Sequence, residues 1–100
     1  MVSTDQEYLV ALGLAISNRR KKLNLTQADL AYKIGMEIPN LSVIENGKSN
    51  PQVITLVRVA SALNCHLKDL LPLVQTHSEF IEAPAIYKPR KHDRSGKSKT

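Results

Sequence analysis

Few side chains in this chain could do covalent or metal chemistry. Cys65 is the sole cysteine and stands beside His66, with His77 and His92 following at long intervals. A tetrahedral zinc site draws four ligands from short paired spacings, and this set is poorly spaced for one. Gly47 and Lys48 resemble the end of a phosphate loop but lack its earlier glycine, and the four glycines form no dinucleotide fingerprint. No nucleophile with a base and no carboxylate pair is legible. The sequence therefore predicts neither catalysis nor a cofactor nor a metal, and points to binding instead.

Charge narrows the partner. Lys and Arg number 14 against 9 Asp and Glu, a net charge of +5, which suits a polyanion. The excess is uneven. Lys88, Arg90, Lys91, Arg94, Lys97 and Lys99 face only Asp93, so the segment from Tyr87 to Thr100 carries as much net charge as the whole chain. Such a run favours salt-sensitive, sequence-blind phosphate contacts, or serves only solubility. A lone cysteine excludes an internal disulfide and fits a reducing, cytoplasmic setting. The apolar stretch from Tyr8 to Ile16 is preceded by Asp5 and Glu7 and by no Lys or Arg, so it reads as a helix rather than an export signal. No run reaches the ~20 apolar residues of a spanning helix, so no membrane partner is expected.

One hundred residues allow one modest core. Apolar content drawn mainly from Leu, Val, Ile and Ala, with no Trp, favours packed helices over a sheet. Thr4 and Glu7 match a capping box ahead of Leu9, Leu12, Ile16 and Leu23, which predicts a first helix over about Asp5 to Lys22. Gly13 within it costs about 1 kcal/mol of propensity relative to Ala, an outlay consistent with a close helix approach. Thr26 is an N-cap for a two-turn helix over Gln27 to Lys33 that Gly35 can end. Pro39 belongs in a first helical turn, and Leu41 and Ile44 face one way, so a third helix runs from about Ile38 to Asn46 with Gly47 as its left-handed exit. Asn50 before Pro51 predicts the cap of a fourth helix with a stripe of Val53, Leu56, Val59, Ala60 and Leu63. A fifth short helix over about Leu67 to Leu71 stops at Pro72. The reading is an all-α domain over residues 1–75 and a basic C-terminal extension over 76–100, disordered from about Pro89. Within that extension Phe80, Ile81, Ile86 and Tyr87 could pack on the domain or on a second copy.

Two short helices joined by a glycine-containing turn can seat the second in a DNA major groove while the first crosses the backbone. A generic helical hairpin has similar lengths, so periodicity alone leaves both readings open. The residues go further. The run TQADLAYKIG, the segment IENGKSNP and the helix TLVRVASALN closely resemble the phage repressor and Cro (XRE) family of helix-turn-helix transcription regulators, over Leu12 to Leu71. The resemblance implies a five-helix, lambda-repressor-like domain that binds double-stranded DNA as a repressor or autoregulator.

The same resemblance assigns roles. Thr26 and Gln27, at the positive end of the second helix, and Asn46, Gly47 and Lys48 fall at phosphate-contacting positions, the latter gripping through backbone amides and a cation. The plainer alternatives are a polar first-turn residue for Gln27 and a helix terminator for Gly47. Arg20 and Glu45 match a structural ion pair. Glu37, Ile38, Pro39, Asn40, Ser42 and Val43 match the base-reading positions of the third helix. Three of these are apolar where many relatives carry Gln, Arg, Ser or Thr. Apolar groups can still read a thymine methyl, and Asn40 can pair with adenine. The same three could instead form a protein-binding face. Lys21, Lys22 and Lys33 read as a solvated face, and Cys65 as a small core residue where this family often has Val.

The partners expected are therefore duplex DNA and a second copy of the chain. The alternatives are an antitoxin holding a toxin protein through the same fold, and a protein-interaction adaptor without specific DNA contact.

Overall fold

The computed structural model describes residues 4–73. The expectations for the extension over 76–100, including the packing of Phe80 to Tyr87, lie outside the described residues.

Four α-helices follow in order: α1 over Asp5–Lys22, α2 over Gln27–Ile34, α3 over Ile38–Glu45 and α4 over Val53–Ala62. No strand occurs among the described residues. The fifth helix expected from Leu67 is a single 3-10 turn, Leu67–Asp69. His66 donates its backbone N–H to an Asp69 carboxylate oxygen at 3.0 Å, which caps the start of this turn. The predicted cap at Asn50 is also corrected. The chain is not yet helical at Pro51, and Gln52, in extended conformation, is the N-cap of α4, with no side-chain hydrogen bond.

Local chemistry explains the other boundaries. The Thr4 hydroxyl accepts the Glu7 N–H at 3.1 Å at the start of α1. At α2 the box is reciprocal: Thr26 Oγ1 accepts from Asp29 N at 3.0 Å, and Asp29 Oδ2 accepts from Thr26 N at 2.9 Å. All four helices end in one way, with the N–H groups of the next residues folding back onto the last-turn carbonyls. The turn position in α1, α2, α3 and the stretch after α4 is taken by Asn24, Gly35, Gly47 and Asn64, each with positive φ.

The core is built from Leu12, Ile16, Leu30, Ala31, Leu41, Ile44, Leu56, Val59, Ala60, Leu63 and Leu70. α1 packs on α3, α2 packs on both α3 and α4, and the 3-10 turn packs on α4. Val53, placed on the α4 stripe by its spacing, is instead 65% exposed. Cys65 is half-buried against the cluster rather than inside it, and burial pushes its thiol pKa up.

Gly13 sets the distance between α1 and α3. A Cβ there would meet the carbonyl oxygen of Glu45 and stand 2.6 Å from that of Ile44, both backbone atoms at the end of α3. No other residue lets the helices approach this closely. Arg19 adds a second tie, donating from Nε to the Leu63 carbonyl and from Nη2 to that of Asn64, each at 3.0 Å. A cation thereby satisfies the open carbonyls that end α4.

Candidate nucleic-acid interface

The end of α3 is held by a buried ion pair. Arg20 donates from Nε to Glu45 Oε2 at 2.8 Å and from Nη2 to Oε1 at 2.9 Å, the two-pronged match of guanidinium to carboxylate. Its Nη1 donates to the Leu25 carbonyl at 2.8 Å in the loop that leads into α2. Donation to the Glu45 carboxylate holds the Arg20 pKa above its ordinary value against the opposing effect of burial. Gln27 then donates from Nε2 to Glu45 Oε1 at 3.0 Å. One carboxylate thus gathers the end of α1, the start of α2 and the end of α3. Both residues of the pair are buried, and no buried side-chain polar atom among the described residues lacks a partner.

This arrangement fixes α2 and α3 relative to each other. Leu41, Ile44 and Glu45 face inward on α3, while Glu37, Ile38, Pro39, Asn40 and Val43 are exposed and Ser42 is half-buried. The outer face is therefore mixed: Ile38 is 45% and Val43 40% exposed, flanking the amide of Asn40. Thr26 is exposed at the start of α2 and Gln27 is half-buried there. Because Thr26 satisfies the Asp29 N–H, the N–H groups of Gln27 and Ala28 are left at the open helix end.

The segment after α3 differs from the expectation in one respect. The backbone N–H groups of Asn46, Gly47 and Lys48 donate to the carbonyls of Ser42, Ile44 and Val43, at 3.0, 3.1 and 2.9 Å. Those amides are committed to ending the helix, so any grip by this loop falls to side chains. The Asn46 amide donates to the Ser42 carbonyl at 2.9 Å, and Lys48 is exposed. Gly47 has φ 71°, and a Cβ there would lie 2.7 Å from the Val10 Cα. Gln6 donates from Nε2 to the Gly47 carbonyl at 3.2 Å. The start of α1 thus braces this loop through Gln6 and Val10. Sequence reasoning passed over both residues, because a separation of some forty positions leaves no local signal.

Among the described residues no group of His, Cys, Asp and Glu could hold a metal ion, and no helix is long and apolar enough to cross a membrane.

Four helices with this α2–turn–α3 geometry define a helix-turn-helix domain. Residues 16–70, more than half of the chain, match the helix-turn-helix family model HTH_3, and the chain belongs to that family. It is 38% identical over 71 residues to the ImmF control region 10 kDa protein of Bacillus phage phi105, an alignment covering 71% of this chain and 76% of that protein. It is 34% identical over 55 residues to the cryptic phage CTXphi transcriptional repressor RstR of Vibrio cholerae, 55% of this chain and 49% of that one, so it spans about half the length of that relative. Among solved structures it is similar to the restriction-modification controller protein C.AhdI from Aeromonas hydrophila, with a TM-score of 0.62 and 25% identity over 63% of this chain and 96% of the other.

Proposed function

We propose that this chain is a sequence-specific regulator of transcription that binds double-stranded DNA as a homodimer and acts as a repressor or autoregulator, with α3 inserted in the major groove. The observation that carries the reading is the solvent-facing side of α3, bordered by the open start of α2 and by Lys48, on a frame locked by Arg20, Glu45 and Gln27. A rigid frame matters because base readout depends on a few side chains held in register with the groove. The family membership and the phage control protein and repressor among its relatives support a regulator rather than an enzyme.

In this reading Glu37, Ile38, Pro39, Asn40, Ser42 and Val43 face the bases. Asn40 takes an adenine edge, Ile38 and Val43 take thymine methyls, and Glu37 accepts from a cytosine amino group. Thr26, Gln27, Asn46, Gly47 and Lys48 line the backbone, with Lys48 supplying the charge and Gly47 the fold of the loop. Two copies on an inverted repeat set half-sites about 34 Å apart, one helical turn.

Selection from a random duplex library at near-physiological salt tests this. An enriched inverted repeat with half-sites one turn apart supports it. Retention of duplex without any enriched sequence overturns it and favours the adaptor reading, for which the exposed Ile38 and Val43 are the supporting observation.

A further inference from the structure

We infer that Arg58, on α4, is a further DNA-backbone contact that grips the strand opposite the one held by Gln27 and Lys48. The inference rests on the DNA-binding reading above.

A helix lying in a major groove has a phosphate chain on each side of it. The contacts assigned so far all gather around one end of α3. Gln27 is tied to Glu45 at its C-terminus, and Lys48 follows two residues beyond the cap. At the other end, Glu37 and Asn40 share an open groove of about 270 Å³ with Thr55 and Arg58 from α4. That space falls below the roughly 300–1,000 Å³ of small-molecule sites but is open enough to admit a phosphodiester. Arg58 is exposed and makes no hydrogen bond or ion pair among the described residues. Its guanidinium presents a planar fork that matches two phosphate oxygens. Thr55, half-buried in the same groove, offers a hydroxyl beside it.

The charges at this end of α3 explain why a cation is needed there. Glu37 is exposed in the groove and, ionised, repels an approaching phosphate. Arg58 at the same lip offsets that charge and offers its donor fork to the phosphate oxygens. Arg58 reaches this groove from α4 and not from the face of α3, so it is assigned to the backbone and not to the bases. It contributes affinity on any sequence and no discrimination among bases.

The test uses the full chain, a selected duplex and a scrambled one, with binding measured over a range of salt. Arg58→Gln is expected to weaken both duplexes roughly tenfold, the low end for a charge-assisted contact. The slope of log K against log salt should become shallower by about 0.9, one phosphate's worth. Arg58→Lys should keep the slope, and Lys68→Gln, on the 3-10 turn outside this groove, should leave both quantities at the parent values. Unchanged affinity and slope in Arg58→Gln overturn the inference while leaving the DNA-binding reading intact. Full recovery of the parent affinity and slope on the scrambled duplex in the Glu37→Gln, Arg58→Gln double variant also overturns it, because Arg58 would then only neutralise Glu37. A parent that retains duplex without sequence preference removes specific readout, yet the slope comparison still reads Arg58. A parent that binds no duplex removes both.

Discussion

The guanidinium of Arg20 holds both carboxylate oxygens of Glu45, at 2.8 and 2.9 Å, across 25 residues of sequence. Their side chains are only 9% and 4% exposed. The pair is thus desolvated, and removing one partner strands the other. Arg20→Ala is predicted to cost about 3–5 kcal/mol of unfolding free energy, and Arg20→Lys a large part of that because an ammonium cannot fork. Urea denaturation checks this, and an Arg20→Ala protein as stable as the parent would count against a structural role for the pair. Joint replacement of both residues by apolar ones should cost less than either single change, since no charge is left buried alone.

Gly13 gives a case in which helix propensity and packing predict opposite signs. In the middle of α1, Ala should stabilise by about 1 kcal/mol. Its Cβ, however, would stand 2.6 Å from the Ile44 carbonyl oxygen and meet that of Glu45. Both are backbone atoms that move only if α1 and α3 separate. Gly13→Ala is therefore predicted to destabilise by about 1–3 kcal/mol. A raised melting temperature in Gly13→Ala would mean that the two helices part without penalty.

The cap of α2 predicts a pH dependence. Asp29 accepts from the Thr26 backbone N–H, and this bond, aided by the Thr26 hydroxyl and by Lys33, holds its carboxyl below the usual carboxylate range. A folded-state pKa below the unfolded one adds stability that is present above the ordinary carboxylate pKa and is lost as pH falls through the depressed native value. Urea midpoints followed from neutral pH into the acid range should therefore fall less steeply for Asp29→Asn than for the parent. Parallel curves would show that the box adds nothing in solution. Thr26→Ala should cost about 1 kcal/mol at neutral pH.

On the DNA-binding reading, substitutions along α3 and beyond it separate into two behaviours. Asn40→Ala should lose about 1–3 kcal/mol of discrimination at one base pair while leaving other positions unchanged. Lys48→Gln should weaken all duplexes alike and reduce the salt slope by about 0.9. Repeating the library selection with Asn40→Ala and titrating salt with Lys48→Gln distinguishes the two. Identical profiles for both variants would remove the division between base-reading and backbone-holding residues.

Much of the helical architecture was legible in the amino-acid sequence, because helix ends are decided locally. Thr4 before Glu7, Thr26 before its apolar run, Pro39 in a first turn, and Gly35 and Gly47 at the exits act over three to five residues. The structure places α1 at the expected bounds and α2 and α3 within one residue of theirs. The motifs TQADLA and ENGK also sufficed to name the family. Sequence reasoning failed where a local signal was weak or outcompeted. Asn50 and Pro51 look like a cap pair, but the chain there is not helical and lines a cleft with Tyr8 and Leu9, and α4 starts at Val53. The segment from Leu67 forms one 3-10 turn, in which the Asp69 and Leu70 N–H groups bond three residues back and Pro72 cannot extend the run.

Only the tertiary structure decided how the candidate site is held together. That Gln27 donates to Glu45, that Gln6 braces Gly47, that Gly13 lies against the end of α3 and that Arg58 shares a groove with Asn40 are contacts between distant segments. Each depends on the angle and depth at which helices pack. That geometry is set by the whole buried surface at once, whereas a cap or a turn is set by the few residues within its reach.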